Sequence, residues 1–196
     1  MDDLTLLIPA KQESESLPKV LDELKEHNLK INIVLNKDDS KTIDSIKNYN
    51  VNILYQTGKG YGDALIHGIN TCTTSYFCIF NADGSFNPLE IKEMLKKLNN
   101  DHLDFVFASR YKNNGGSEDD TIITLIGNYI FSMIGKIFFK LNISDILYTF
   151  VIGKTEKAKL LKLAYKDFAF CVELPIKAKN FNFKLEDFPS RERKRI

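Results

Sequence analysis

The stretch FNADGS, residues 80–85, sets an amide, a carboxylate, a glycine and a hydroxyl side by side after an apolar run. Oxygens of this kind bind hard divalent cations such as Mg²⁺ and Mn²⁺, which readily share their ligands with phosphate groups. A second interpretation needs no metal: Asp83 forms an Asx-type turn at the end of a strand, and Pro88 begins the next helix. Six residues taken alone favour the turn, so the surrounding sequence has to decide between the two.

Polar side chains follow each of five β-rich runs, and every one of these connections contains a carboxylate or a cation. The connections are PAKQE (9–13), NKDDSKT (36–42), QTGKGYGDA (56–64), NADGS (81–85) and SRY (109–111). Loops are polar in general because they face water, but this explains one such connection more easily than five. Ligands of open parallel sheets bind at the carboxyl ends of the strands. The sequence therefore predicts a ligand site along this edge.

Short β-rich runs alternate with helical patterns through the first half of the chain. The predicted strands are 4–8, 31–35, 51–55, 75–80 and 104–108, and the predicted helices between them are 14–27, 40–48, 60–71 and 87–99. Such alternation with short connections is typical of a mostly parallel central sheet flanked by helices. A chain of 196 residues is long enough for one substantial core, so we predict a single α/β domain.

The sequence changes character after residue 121. Residues 122–141 are almost continuously apolar, although Asn128, Lys136 and Lys140 interrupt them. A membrane span needs about twenty predominantly apolar residues, and this segment falls short. Two interpretations stay open: a buried helix, and a helix that lies in the headgroup region of a membrane.

The last third of the chain returns to short elements. The patterns predict a strand at 146–153, helices at 155–163 and 168–181, and a strand at 183–189. The basic tail SRERKRI, residues 190–196, is interpreted as a solvated terminus.

Composition excludes several classes of protein. Hydrophobic residues make up 43% and charged residues 27%, with a net charge of +1, so the chain is typical of globular proteins and has no overall attraction for nucleic acid. Cys72, Cys78 and Cys171 lie in apolar surroundings without the paired spacing of a zinc or redox site. The amino terminus lacks the pattern of a signal peptide. We therefore predict a cytoplasmic protein with reduced cysteines; the sequence does not indicate its oligomeric state.

Seven blocks, taken in order, resemble the signature motifs of family 2 glycosyltransferases with a GT-A fold. They are LLIPAKQESESLPKVL, DDSKT, GKGYGDALIHGI, FNADGSFNPLEI, FASRY, DILYTF and FCVELPIKAKNFNFKLEDFP. The similarity is greatest to the branch that contains dolichol-phosphate mannosyltransferases and related polyprenyl-phosphate glycosyltransferases. It implies a nucleotide-sugar-binding half at 1–111 and an acceptor-side half at 112–196.

The resemblance assigns the first block to the nucleotide of a nucleotide-diphosphate sugar. Pro9, Ala10 and Glu13 match residues that cradle the base and ribose in the family. Lys11 and Gln12 replace the usual aromatic residue and asparagine, so stacking on the base is not expected.

Two further blocks would complete the donor site. Asp38 and Asp39 match the acidic pair after the second strand, although a shift of two residues would put Asn36 and Lys37 there instead. Gly62 matches a position where a small residue lets a helix begin close to phosphate.

The resemblance also favours the metal interpretation of residues 80–85. Asn81, Ala82 and Asp83 match the family's two-aspartate motif, so Asp83 would bind Mg²⁺ or Mn²⁺ and act in catalysis. Such an ion would neutralise the leaving nucleoside diphosphate. Asn81 offers a carbonyl oxygen without charge, which predicts weaker metal binding or a hydrogen bond to the sugar.

Two arginines are implied on the acceptor side. Arg110 matches a catalytic arginine near phosphate, and its planar guanidinium suits a bidentate grip; an ion pair with residues 117–120 is the alternative. Arg195 matches an acceptor-phosphate arginine. Asp145 and Glu173 match two acidic positions, for which burial with a partner and a catalytic role are both open.

The predicted acceptor is polyprenyl phosphate. A phosphate monoester is already anionic at neutral pH, so its attack on the sugar needs no general base. The chain has no tryptophan, and therefore lacks the Q-x-x-R-W element of polysaccharide-building members. Residues 122–141 would contact the lipid and the bilayer surface peripherally. The alternatives are a soluble glycosyltransferase acting on a glycan or small-molecule hydroxyl, and a degenerate, non-catalytic nucleotide-binding member.

Overall fold

The computed structural model describes residues 3–196, with Ile122 described by its backbone alone. The strands are β1 (Leu4–Pro9), β2 (Lys30–Leu35), β3 (Asn52–Tyr55), β4 (Tyr76–Ile79), β5 (Phe105–Ser109), β6 (Gly116–Ser117), β7 (Val151–Lys154), β8 (Leu185–Pro189) and β9 (Arg191–Glu192). The α-helices are α1 (Leu17–Leu24), α2 (Ser40–Ile46), α3 (Tyr61–Thr71), α4 (Pro88–Asn100), α5 (Ile122–Phe139), α6 (Thr155–Leu160) and α7 (Phe170–Asn180).

The main sheet has seven strands in the order β3-β2-β1-β4-β7-β5-β8. All neighbours are parallel except β7, which runs antiparallel to both β4 and β5. The predicted fold class, a mostly parallel sheet flanked by helices, is confirmed. All five strands predicted in the first half are present, with small differences at their ends.

The core occupies both faces of this sheet. One apolar cluster packs α1 and α4 against one face, and a second packs α3 and α7 against the other. The strands between them are apolar on both sides, which is why β1 and β5 consist almost entirely of buried residues. Cys72, Cys78 and Cys171 are buried and free, as predicted.

Helix α4 shows how local sequence starts an element next to the future site. The Asn87 side chain accepts a hydrogen bond from the Leu89 amide at 3.1 Å, and Pro88 occupies the first turn, where its missing N–H costs nothing. Ile91, Met94 and Leu98 then recur at helical spacing and are buried. The helix therefore begins directly after the FNADGS stretch and fixes the direction in which the chain leaves it.

The predicted strand at 146–153 is wrong in its first part, because pairing begins at Val151. Ile146, Tyr148 and Phe150 are buried at alternating positions, so burial in an irregular segment imitates the period of a strand. The helix predicted at 155–163 ends earlier in the structure, at Leu160, because Lys162 takes a left-handed conformation with φ of 48°.

The basic tail is not a solvated terminus. Residues 191–192 form β9, which pairs in parallel with β6. The Arg193 amide donates to the Ser85 carbonyl at 2.8 Å, and the Ile196 amide donates to the Asp83 carbonyl at 2.9 Å. Backbone hydrogen bonds therefore hold the tail against the FNADGS stretch.

Helix α5 is apolar but not buried. Its exposed large side chains include Ile123 at 83% exposure, Tyr129 at 65%, Ile137 at 62% and Phe138 at 74%. The interpretation of this segment as a buried helix is therefore wrong. Within residues 3–196, none of the helices has the length and apolar character to cross a membrane.

Candidate active site

A cleft of ≈ 740 Å³ lies at the carboxyl edge of the sheet. Many of the predicted site residues line it: Pro9, Ala10, Glu13, Asn81, Ala82, Asp83, Arg110 and Arg195. A second depression of ≈ 750 Å³ lies at the amino ends of β1 and β2 and contains none of the predicted residues. Strand direction decides between these two cavities, because the segments that follow five parallel strands, β1 to β5, converge on the first.

Asp83 forms the Asx-type turn that its sequence context predicts, and it does so with one of its two carboxylate oxygens. Its Oδ1 accepts hydrogen bonds from the Ser85 amide at 3.0 Å and the Ser85 hydroxyl at 2.6 Å, which makes the Asx-type turn. Gly84 follows with φ of +79°, a conformation that favours glycine. The other oxygen, Oδ2, lies 3.6 Å from Arg195 Nε. The turn therefore uses one carboxylate oxygen and leaves the second for a cation.

The residues present fit a metal ion that shares its ligands with a substrate. Among residues 3–196 there is no group of three or more His, Cys, Asp or Glu side chains that could hold an ion unaided. Mg²⁺ in phosphate-transfer sites typically takes one or two carboxylates and completes its shell with phosphate oxygens and water. The free oxygen of Asp83 meets that requirement.

Asn81 belongs to a hydrogen-bonded group of three side chains. The Tyr61 hydroxyl donates to Asn81 Oδ1 at 3.2 Å and shares a hydrogen bond with Thr149 Oγ1 at 2.7 Å. The Tyr61 ring stacks on Phe168 with centroids 5.1 Å apart and planes 16° apart. Burial raises the pKa of Tyr61, so its hydroxyl keeps its proton at neutral pH.

The acidic pair after β2 lies outside the cleft lining. Asp39 caps α2: its Oδ1 accepts from the Thr42 amide at 3.4 Å, while its Oδ2 accepts from the Gln12 amide at 2.7 Å. Asp38 is exposed. Asn36 is the residue of this loop that lines the cleft. This arrangement corresponds to the alternative register of the second block.

Gly62 is buried at the start of α3 and does not line the cleft. A Cβ atom at this position would lie 2.2 Å from the Tyr165 carbonyl oxygen and 2.7 Å from that of Asp167. The absence of a side chain here lets α3 pack against residues 164–169. The helix start is thereby held in position, and Lys59, Gly60 and Tyr61 face the cleft.

Arg110 is buried in a group of carboxylates. Its Nε and Nη2 form a bidentate pair with Asp145 at 2.7 and 3.0 Å, and its Nη1 lies 3.2 Å from Glu192 and 3.5 Å from Asp120. Burial alone would lower the pKa of the guanidinium, but its hydrogen bonds to Asp145 and the charge of that carboxylate outweigh burial and raise it. Arg110 is therefore a permanent cation that is already paired on several sides.

Arg195 differs from Arg110 because it is 63% exposed. Its Nε lies 3.0 Å from Asp119 and 3.6 Å from Asp83. This cation can therefore turn toward a ligand in the cleft. Glu173, by contrast, lies outside the cleft: its carboxylate accepts from the amides of Ala164 and Tyr165 and pairs with Lys177 at 2.8 Å.

Sequence reasoning missed several residues that line the cleft. They are Gln56, Lys59, Gly60, Tyr61, Phe86, Leu147, Tyr148, Thr149, Phe168, Cys171 and Glu192. Tyr61 lay within a quoted motif and could have been singled out as its one aromatic residue, whereas nothing in the local sequence identifies Thr149 or Glu192. Burial raises the pKa of Cys171 to about 12, so its thiol stays protonated and is not a nucleophile at neutral pH.

The structure is similar in fold to two solved sugar-3-phosphoglycerate synthases. One is glucosyl-3-phosphoglycerate synthase from Mycobacterium tuberculosis in complex with Mn²⁺, UDP and glucosyl-3-phosphoglycerate; it matches 100% of this chain and 71% of its own, with 11% identity and a TM-score of 0.76. Another is mannosyl-3-phosphoglycerate synthase from Rubrobacter xylanophilus. The match covers 98% of this chain and 66% of the synthase chain, with 14% identity and a TM-score of 0.75. At such identity the similarity establishes the fold.

Family membership comes from the sequence itself. The model of glycosyl transferase family 2 matches residues 5–161, which is more than half of the chain. This range contains the Asp83 turn, Tyr61, Asn81 and Arg110. Together with the GT-A architecture, the match establishes that the chain belongs to glycosyl transferase family 2.

Proposed function

We propose that the protein is an inverting glycosyltransferase that moves a sugar from a nucleotide-diphosphate sugar to a polyprenyl phosphate with the help of Mg²⁺ or Mn²⁺. The observation that carries the proposal is the contact between the cleft and the exposed apolar helix. The side-chain amide of Asn128 on α5 donates a hydrogen bond to the Tyr111 hydroxyl at 3.0 Å. Tyr111 directly follows Arg110, which lines the cleft. A lipid chain lying on α5 would bring its phosphate to this end of the cleft.

The donor would lie across the loops that follow the first four strands. The backbone around Pro9 and Ala10 and the side chains of Glu13 and Asn36 line the part suited to a nucleoside. Asp83 Oδ2 would hold the metal ion, which supplies charge stabilisation for the departing diphosphate. The solved Mycobacterium tuberculosis structure with Mn²⁺ and UDP-glucose, similar in fold at a TM-score of 0.74 and 12% identity, supports this donor class.

The acceptor phosphate would bind in the same cleft, close to Arg195. Arg195 is the exposed cation beside Asp83, and it can exchange its ion pairs for a phosphate. Arg110 would act on the acceptor through its neighbours, since Asp145 and Glu192 already occupy its guanidinium. A phosphate oxygen is nucleophilic without losing a proton at neutral pH, so the transfer requires orientation rather than a base.

Helix α5 would bind the membrane surface along its length. Eighteen residues of α-helix extend over about 27 Å, and apolar side chains are exposed along the whole of it. Lys136 and Lys140 at its carboxyl end suit anionic headgroups. A helix of this kind lies in the interface rather than across it.

The proposal is tested by offering both acceptor classes to the same protein. Nucleotide sugars are first ranked by the rise in melting temperature that they cause with Mn²⁺. The best donor is then assayed with polyprenyl phosphate and with soluble sugar alcohols. We expect polyprenyl-phosphate sugar as product and its loss in Asp83→Ala. Activity confined to soluble hydroxyl acceptors would contradict polyprenyl phosphate as the acceptor. Nucleotide-sugar binding without any sugar transfer would indicate a non-catalytic member of the family.

Membrane contact has its own test with a matched control. Phe138→Ser should reduce sedimentation with anionic vesicles, because Phe138 is 74% exposed on α5. Leu89→Ser is the control, since Leu89 is 70% exposed on α4, outside the proposed surface. Equal losses in the two variants would contradict a specific role for α5.

A second acceptor class has its own supporting observation. Glu192 lines the cleft with Arg195, and its carboxylate lies 3.2 Å from Arg110 Nη1; an acidic residue among cations could serve a hydroxyl acceptor that carries a phosphate. The fold is shared with synthases of glucosyl- and mannosyl-3-phosphoglycerate. Transfer to 3-phosphoglycerate, with loss of that activity in Glu192→Gln, would favour this function over the lipid acceptor.

A further inference from the structure

Tyr61 connects elements that are far apart in the sequence at one point of the cleft. It stands at the start of α3, its hydroxyl reaches Asn81 after β4 and Thr149 before β7, and its ring stacks on Phe168. The ring stacking fixes the plane of the phenol, and the two hydrogen bonds fix the direction of its hydroxyl. The position of Asn81 is therefore set from outside its own loop.

The contact with Tyr61 engages the oxygen end of the Asn81 amide. Oδ1 accepts from the Tyr61 hydroxyl at 3.2 Å, and Oδ1 and Nδ2 branch from the same carbon in different directions. With its oxygen directed toward α3, Asn81 offers N–H groups to the cleft that it lines. An amide nitrogen donates hydrogen bonds and is not a ligand for hard divalent cations.

We infer that Tyr61 is a positioning residue that holds Asn81 as a hydrogen-bond donor to the sugar or diphosphate, which leaves Asp83 to bind the ion without it. The inference rests on the proposed function and, of the two roles that the sequence leaves open for Asn81, favours a hydrogen bond to the substrate over metal binding. It also gives Asn81 a use that aspartate would not have at this position. A carboxylate at 81 would repel the diphosphate, whereas N–H groups are attracted to its oxygens.

The two hydrogen bonds of the Tyr61 hydroxyl are compatible with each other. Thr149 can donate to the Tyr61 oxygen while Tyr61 donates to Asn81, so all the hydrogen bonds form at once.

The experiment measures ion binding and sugar binding separately. Mn²⁺ is titrated by electron paramagnetic resonance in the presence of saturating UDP or GDP, and the best nucleotide sugar of the thermal screen is titrated by calorimetry. Asp83→Ala should weaken Mn²⁺ binding at least about tenfold, a loss of about 1.4 kcal/mol or more. Asn81→Ala should change Mn²⁺ binding by less than about twofold but weaken nucleotide-sugar binding about two- to tenfold, as expected for one lost hydrogen bond.

Two more variants separate positioning from general damage to the site. Tyr61→Phe keeps the ring stacking on Phe168 but frees Asn81, so it should weaken nucleotide-sugar binding and leave Mn²⁺ binding unchanged or stronger. Tyr76→Phe is the matched control, because it removes a hydrogen bond of the same kind, from the Tyr76 hydroxyl to Asn99 Oδ1 at 2.9 Å, between residues that do not line the cleft. Asn81→Asp should strengthen Mn²⁺ binding by adding a second carboxylate beside Asp83.

The outcomes distinguish the inference from the function on which it rests. If Asn81→Ala weakens Mn²⁺ binding as much as Asp83→Ala does, Asn81 is a ligand and the inference is wrong. An unchanged nucleotide-sugar affinity in Tyr61→Phe would also overturn it. If Asp83→Ala leaves Mn²⁺ binding intact, or neither nucleotide supports binding, the proposed metal-assisted function fails instead.

Discussion

Two walls of the cleft are held in place by different forces: the proposed donor wall, formed by the loops after β1 to β4, and the proposed acceptor wall, formed by the segments around Arg110. On the donor side, the loops after β1 to β4 continue the strands by backbone hydrogen bonds, such as Ala10 to Val34 at 3.0 Å and Phe80 to Leu7 at 3.0 Å. Beneath these loops, the Phe86 and Phe150 rings stack on each other, and the Phe80 ring packs edge-to-face against both. Apolar packing under regular strands therefore fixes this wall.

The proposed acceptor wall consists of two irregular segments and the short strand β9, held together by charge. Arg110 joins them through Asp120, Asp145 and Glu192. Three carboxylates around one guanidinium leave excess negative charge, which nearby hydroxyls such as Ser117 partly offset by hydrogen bonding. The comparison shows that the strand framework determines the donor wall, whereas one buried cation organises the acceptor wall.

Replacing that cation should have the largest effect. Arg110→Met leaves the fully buried Asp145 and the buried Glu192 without their partner, so we expect a loss of about 3–5 kcal/mol in the free energy of unfolding. Lys97→Met is the control, because Lys97 pairs with partly exposed Asp101 and Glu186 and should cost about 1 kcal/mol or less. Urea unfolding measures the loss of stability in each variant. Similar losses in Arg110→Met and Lys97→Met would contradict the distinction between the two walls.

Crowding the start of α3 should have the next largest effect. In Gly62→Ala the new methyl group meets backbone oxygens of residues 164–169 at 2.2 and 2.7 Å, so we expect a loss of about 1–3 kcal/mol in stability. Gly127→Ala is the control, because a Cβ there meets nothing within 4 Å among the described residues and should stabilise α5 by about 0.5–1 kcal/mol. Thermal unfolding distinguishes the two; an unharmed Gly62→Ala variant would contradict tight packing here.

A smaller effect should depend on pH. Burial raises the pKa of Asp187, and hydrogen bonds from Ser144 offset burial only in part. The folded carboxyl therefore binds its proton more tightly than the unfolded one, and its contribution to stability is lost as pH rises through the folded pKa. Asp187→Asn should accordingly gain stability relative to the wild type between about pH 3 and pH 7.

Asp104 supplies the opposite sign for the same measurement. Burial alone would raise the pKa of Asp104, but hydrogen bonds from the Lys184 amide and the Lys154 side chain outweigh burial, so the net pKa is lowered. Asp104→Asn should therefore lose stability relative to the wild type as pH rises over that window. Urea midpoints at both ends of the window test the pair, and trends of equal sign would contradict the assigned pKa shifts.

The smallest effect on stability should come from Arg195→Ala. Arg195 is 63% exposed, so the free energy of unfolding should change by no more than about 0.5 kcal/mol. Mn²⁺ binding without nucleotide should strengthen by up to about fivefold, because a cation near Asp83 is removed. Lys194→Ala, an exposed neighbour, is the control for net charge. Equal Mn²⁺ affinities in the two variants would indicate that Arg195 does not compete for Asp83.

Sequence reasoning succeeded where structure follows from periodic patterns. Alternating strands and helices predicted the sheet, and the polar residues after each strand predicted that Pro9, Glu13, Asn81 and Asp83 share one edge. These residues lie at strand ends, so their positions follow once strand direction is known.

Sequence reasoning failed where long-range contacts decide the outcome. The burial of Arg110 depends on Asp145 and Glu192, which are distant in the chain, and the fold position of the basic tail depends on β6. The contact between Tyr61 and Thr149 spans 88 positions. No local pattern encodes such distances, so the sequence could not show which side chains face the cleft.

The antiparallel strand β7 has a consequence for how the molecule can be divided. It belongs to the second half of the chain but is inserted between β4 and β5 of the first half. Residues 3–111 on their own would leave two central strands with unsatisfied edges, a state prone to aggregation. The seven-stranded sheet therefore needs strands from both sides of residue 111, and we expect a fragment that ends there to be a poor reagent for binding studies.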